Sequence, residues 1–161
     1  MKTYARARVR AYRMEKQPFS ADLMNPITNL GSGYMISKPN GGCWFSPIRT
    51  NPPKGYKPYG WTEWNQHEDA GFDAGRTRTE YTIIGKILVI DDGELPDDIP
   101  LVKSKYEDKS SLDFEGLVKL GYQAVLMTQE GIRATHYVQS GFELYAWDCE
   151  SVLVLDANCV Q

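Results

Sequence analysis

Residues 4–13 alternate without a break: Ala5, Ala7, Val9 and Ala11 fall on one side, and Tyr4, Arg6, Arg8, Arg10 and Tyr12 on the other. A period of two belongs to a β-strand with one face covered, so the rest of the chain must supply a sheet for it. Arg6, Arg8 and Arg10 then stand about 6.5 Å apart on one side. That spacing lets one or two of them grip a diphosphate through charge-assisted hydrogen bonds. The same row also suits a solvent-facing edge strand, where arginines discourage pairing between sheets.

Further strands follow from composition and punctuation. Residues 81–90 are apolar and β-branched apart from Gly85 and Lys86, and residues 122–128 and 151–155 are similar runs. Shorter strands are expected at 34–37, at 42–46 after the Pro39-Asn40-Gly41-Gly42 turn, and at 132–138 after a turn at 129–131. Helices are expected around Ala21, over 62–70 with Thr62 as its cap, and over 112–120 with Ser110 or Ser111 as cap and Gly121 as stop. Residues 47–60 are rich in Pro, Gly and Tyr and lack periodicity, which predicts a long ordered surface loop, and residues 91–100 form an acidic turn. The sum is an α+β chain dominated by strands, two packed small sheets with a few short helices. Its 161 residues form one domain, 1–161.

Composition excludes several classes. With 42% hydrophobic and 12% aromatic residues the chain can bury a core without staples. Cys43, Cys149 and Cys159 lack a CxxC spacing and read as reduced thiols of a cytoplasmic protein, Cys149 as an inert strand residue. The apolar runs at 87–90 and 152–155 fall far short of the roughly 20 residues of a membrane helix, so no membrane contact is expected. The first ten residues lack the apolar stretch of a secretory signal. Two histidines, no HExxH and no cysteine cluster argue against a metal centre, and no phosphate-binding glycine loop or GxSxG is present. The net charge of −3 hides a polar split. Residues 1–78 carry twelve Lys/Arg and six Asp/Glu (+6), and residues 79–161 carry six and fifteen (−9). A basic half inside an acidic protein suggests a local anion site more than general nucleic-acid affinity.

Three segments carry candidate chemistry. The first is the arginine row. The second is the Gly41-Gly42 turn into Trp44-Phe45-Ser46, where glycine permits close approach of a ligand and Ser46 brings a hydroxyl. The third is Asp148-Cys149-Glu150, whose two carboxylates share a side if extended and stand at the lip of the run 152–155, suited to stabilising a developing cation. Trp61 and Trp64 read as one buried face of a short helix.

In this order the three segments resemble the ADP-ribosyltransferase family. Its members end their first strand in an aromatic residue and an Arg, carry a Ser/Thr motif after an aromatic in a middle strand, and introduce a late strand with Glu/Gln-x-Glu. The counterparts are Ala11-Tyr12-Arg13 (or Arg8 or Arg10 a register earlier), Trp44-Phe45-Ser46 and Asp148-Cys149-Glu150. GGCWFSP, GWTEW and WDCES together are also similar to a group of uncharacterised phage-borne proteins. The resemblance implies an ADP-ribosyltransferase-like fold and NAD as substrate. A first-strand Arg (Arg13, Arg10 or Arg8) would hold the diphosphate, with Gly42, Trp44 and Ser46 shaping the nicotinamide pocket. Glu150, assisted by Asp148, would bind the ribose hydroxyl and stabilise the cation left when nicotinamide departs. Tyr137, Tyr145 or Trp147 would stack on nicotinamide, and the loop 129–147 would meet the acceptor, a host protein or nucleic acid. The Ser motif is shortened to Ser46 followed by Pro47, which suits an alternative: a non-enzymatic binding or inhibitor protein of anti-defence type. A second alternative is a nucleic-acid-binding protein that uses the arginine row.

Overall fold

The computed structural model describes residues 1–30, 37–52, 54–105, 108–136, 138 and 141–161. The described residues form strands β1 (Lys2–Glu15), β2 (Cys43–Pro47), β3 (Thr77–Ile90), β4 (Leu101–Lys103), β5 (Lys109–Leu112), β6 (Ala124–Met127), β7 (Gly141–Phe142) and β8 (Ser151–Val154). Helices are α1 (Trp61–His67), α2 (Phe114–Lys119) and α3 (Gln129–Thr135), and single 3-10 turns lie at Ala21–Leu23 and Ala157–Cys159. The strand expected at 34–37 falls mostly outside the described residues, as does Tyr137.

One sheet closes on itself. The order β1-β2-β8-β6-β3 returns to β1, with β3 and β6 parallel and the other pairs antiparallel. A separate three-stranded sheet runs β4-β5-β7. The expectation of two small packed sheets is therefore corrected: the larger sheet has become a barrel. Along one side β1 pairs with β3 from Lys2↔Val89 to Glu15↔Thr77, with one irregularity between Tyr4 and Ala7. On its other side β1 meets β2 only at Ala11↔Pro47 and Tyr12↔Ser46, so the two strands part beyond Tyr12.

The sequence patterns follow from two cores. Inside the barrel lie Ala11, Cys43, Phe45, Ile83, Ile87, Ala124, Val152 and Val154, with Ala7 and Val9 against them. Five strands enclose little room, which accounts for the small side chains that β1 sends inward. Outside, Leu88, Ile90, Val125, Met127 and Leu153 pack under Leu112, Phe114, Leu117, Leu144 and Trp147. Hence the stretch 87–90 of β3, with β6 and β8, is covered on both faces and reads as an apolar run, while the outer face of β1 is open and reads as an alternation.

Helix boundaries differ from expectation where side chains from elsewhere set them. Asp113, not Ser110 or Ser111, caps α2, accepting from the Gly116 N–H at 2.8 Å, because residues 109–112 belong to β5. Helix α1 begins at Trp61, before Thr62. Residues 129–135 are helical rather than a turn and strand, since Thr128 caps them by accepting from the Gly131 N–H at 3.1 Å. No helix among the described residues is long and apolar enough to cross a membrane.

Candidate functional site

A cavity of about 410 Å³ opens where β1 and β2 part, and α1 closes its far side. Tyr12 and Arg13 enter it from β1, Trp44 and Ser46 from β2, and Asp148 from the segment before β8. The chain has four tryptophans, and all four, Trp44, Trp61, Trp64 and Trp147, line this cavity.

The walls are fixed by hydrogen bonds between elements. Ser46 is 1% exposed, and its Oγ accepts from the Trp61 backbone N–H at 3.0 Å, fastening the start of α1 to β2. The Tyr12 hydroxyl donates to Thr62 Oγ1 at 3.0 Å and accepts from the Thr62 N–H at 3.2 Å. A Cβ on Gly60 would stand 2.1 Å from Ser46 Oγ, so only glycine allows this approach. Trp147 donates its indole N–H to the Ser37 carbonyl at 2.6 Å and meets Trp44 edge-on at 4.6 Å. Along α1 and the chain after it, Trp61 and Trp64 both stack on Phe72, at 25° and 11° between planes, and are tilted 34° to each other.

Cations and two carboxylates complete the site. The Arg13 guanidinium sits 5.4 Å over the Phe45 ring, and its Nη1 lies 3.6 Å from the carboxylate of Glu15, a buried residue that also accepts from the Tyr81 hydroxyl at 2.5 Å. Burial and that hydrogen bond push the Tyr81 hydroxyl above its ordinary pKa. Arg76 donates to the Met14 carbonyl at 3.2 Å, and Lys38 stands 5.3 Å over Trp44 and 3.9 Å from Asp148. Burial holds the neighbouring Cys149 thiol up at about 11, so it remains protonated near neutral pH and is a poor nucleophile.

Glu150 goes elsewhere. It is 2% exposed and borders a second cavity of about 510 Å³ beside Arg8, Arg10 and Thr128. Arg49 donates to its Oε1 at 3.0 Å, the Tyr56 hydroxyl to its Oε2, and the Gln129 backbone N–H lies 3.4 Å from Oε1. Arg49 also reaches Glu130 at 3.2 Å and stacks over Tyr56 at 4.8 Å. Burial opposes the Arg49 charge, but the Glu150 carboxylate outweighs it and secures the guanidinium in its protonated form. Burial, then the hydrogen bond to Glu150, raises the Tyr56 hydroxyl well above the tyrosine range.

The residues selected from sequence are thus divided. Arg13, Trp44, Ser46 and Asp148 share the first cavity. Arg8, Arg10 and Glu150 border the second, because Glu150 follows the inward-facing parity of Val152 on β8 and points to the barrel's end. Gly42 lines neither cavity: it has φ +67°, and a Cβ there would stand 2.8 Å from the Val154 carbonyl, so it serves the turn and strand packing. Tyr145 lies outside both cavities, 44% exposed with its ring on His136. Sequence reasoning missed Lys38, Arg49, Tyr56 and Arg76, and assigned Trp61 and Trp64 to packing alone. The GWTEW spacing of three puts both indoles on one helix face, but only the fold shows that this face borders a cavity. Among the described residues no group of three or more His, Cys, Asp or Glu could hold a metal ion. No family model, curated protein or solved structure matches the chain.

Proposed function

We propose that this protein is an NAD-dependent mono-ADP-ribosyltransferase-like enzyme that takes NAD into the tryptophan-lined cavity. One observation carries this proposal: Tyr12-Arg13, Trp44-Phe45-Ser46 and Asp148-Cys149, three segments far apart in sequence, line a single cavity. The volume of about 410 Å³ lies within the range of small-molecule sites. Indole walls suit the nicotinamide ring, and Arg13 and Arg76 suit the diphosphate. In the reaction the bond between nicotinamide and ribose C1′ breaks, and nicotinamide leaves with the electron pair. Asp148, the carboxylate of this cavity, stabilises the oxocarbenium-like charge on the ribose until the acceptor's nucleophile bonds to C1′. The similarity to phage-borne proteins makes a host-cell macromolecule, met in the cytoplasm, the proposed acceptor.

A second function, a binding protein without the chemistry, is favoured by a specific observation: Ser46 and Glu150 are both engaged by internal partners. The two separate cleanly. Because every tryptophan lines the cavity, NAD should quench the intrinsic fluorescence saturably, and Arg13→Ala should weaken this by roughly tenfold, the loss of one charge-assisted contact. Nicotinamide release, followed by chromatography with host lysate as acceptor source, should vanish in Asp148→Asn. Absence of quenching by NAD would refute the NAD site, and quenching without release in the wild type would establish the binding protein.

A further inference from the structure

A row of cations leaves the cavity along the outside of the barrel. Arg8 and Arg10 stand on the outer face of β1 in the same alternation as Tyr12, which lines the cavity. On neighbouring β3, Arg78 places its guanidinium 4.0 Å over the Tyr12 ring. Arg10 and Arg78 share one carboxylate, that of Glu80, at 2.7 and 3.2 Å, and Arg8 forms no ion pair among the described residues. The row therefore retains positive charge. Tyr12, under Arg78, bonds through its hydroxyl to Thr62, the neighbour of Trp61, and the rings of Trp61 and Trp64 both stack on Phe72, which is 53% exposed.

The geometry points to a single-stranded nucleic acid lying along this row, its phosphates on Arg8, Arg10 and Arg78 and a base stacked on Phe72 at the cavity mouth. A cationic track that follows a backbone and leads to exposed aromatic faces is the physical recipe for binding single strands, because every base has a π-face. A duplex keeps its bases stacked on one another and cannot offer one to Phe72. An acidic peptide carries a ring only where an aromatic residue falls, whereas every nucleotide brings a charge and a ring together, and that pairing is what the track and Phe72 match. Docking needs no NAD; that the docked strand is the acceptor rests on the function proposed above.

Fluorescence anisotropy of a labelled 12-nucleotide single strand, without NAD, tests the docking independently of that function. Binding should weaken with salt, and Arg8→Ala/Arg10→Ala should lower the slope of log K against log salt by about 1.4, two single-strand phosphate contacts. The Lys/Lys pair should keep the slope. Phe72→Ala, a change at an exposed ring, should weaken single-strand binding by about fivefold or more while leaving the duplex unaffected. Any of three results would overturn the proposal: no binding at low salt, equal affinity for duplex and single strand, or displacement of the strand by poly-glutamate at equal charge concentration. Adding NAD and following label incorporation then tests the acceptor role, and its failure with docking intact would strike only the transfer.

Discussion

A carboxylate as buried as Glu150 must be met by donors, and it has Arg49, Tyr56 and the Gln129 N–H. Removing it strands a guanidinium and a hydroxyl against the barrel's end. Glu150→Ala should cost about 2–3 kcal/mol, somewhat less than breaking a wholly buried pair, because Arg49 keeps 28% exposure. A lower urea midpoint at unchanged slope would show this, and a shift worth less than about 0.5 kcal/mol would mean the trio adds nothing to stability. Glu150 stands out in the sequence as an acid before an apolar run. Its partners do not, because Arg49 and Tyr56 sit in the aperiodic stretch 47–60, where no local pattern links a residue to a strand a hundred positions later. Arg13 is readable from its place at the end of an alternating strand, whereas no pattern in the sequence marks Glu15 as its buried counter-charge.

At the scale of elements, the joint between β2 and α1 decides the shape of the cavity. Ser46→Ala leaves the Trp61 N–H without its acceptor, which should cost about 1 kcal/mol. The more telling readout is emission: with α1 loosened, Trp61 and Trp64 should become wetter and shift to the red. Unchanged emission would show that other contacts suffice to hold the helix. The strands themselves were legible, since burial on one face gives alternation and burial on two gives apolar runs. Helix α3 was not, because QEGIRAT has little amphipathic pattern and its helicity depends on Thr128, whose hydroxyl accepts from Gly131 and donates to the Ile90 carbonyl on β3. A cap held by another element leaves no local signature.

For the molecule as a whole, ionisable groups set an alkaline limit. Burial raises the pKa of all three thiols, Cys149 to about 11 and Cys159 to about 12, and also that of Tyr56, Tyr59 and Tyr81. The unfolded chain ionises these groups near their ordinary values, about 8.5 for Cys and 10 for Tyr. The folded state holds its protons longer, so stability is complete below about pH 8.5 and falls as pH rises toward 11–12. Urea midpoints from pH 7 to 11 should fall across that window, and a flat profile would contradict the burial of these groups. The charge split proved informative at the same scale. Arg10–Glu80, Lys38–Asp148 and Arg49–Glu130 all join the basic half to the acidic half. Barrel closure was beyond reach, because the parallel β3–β6 pairing and the seat of β8 between β2 and β6 are long-range choices that no local pattern encodes.

That seat of β8 has a consequence during synthesis. Strand β2 ends at Pro47 but pairs with β8, which ends at Val154. At roughly 5–20 residues per second on the ribosome, the β2 edge waits about 5–20 seconds for its neighbour. Through that interval β1 and β3 can already zip together, while the site remains half-built and β2 is open to pairing with other nascent chains. Of the described strands β8 comes last in chain order; it completes the barrel and follows directly on the segment that carries Asp148, so shape and site are acquired together.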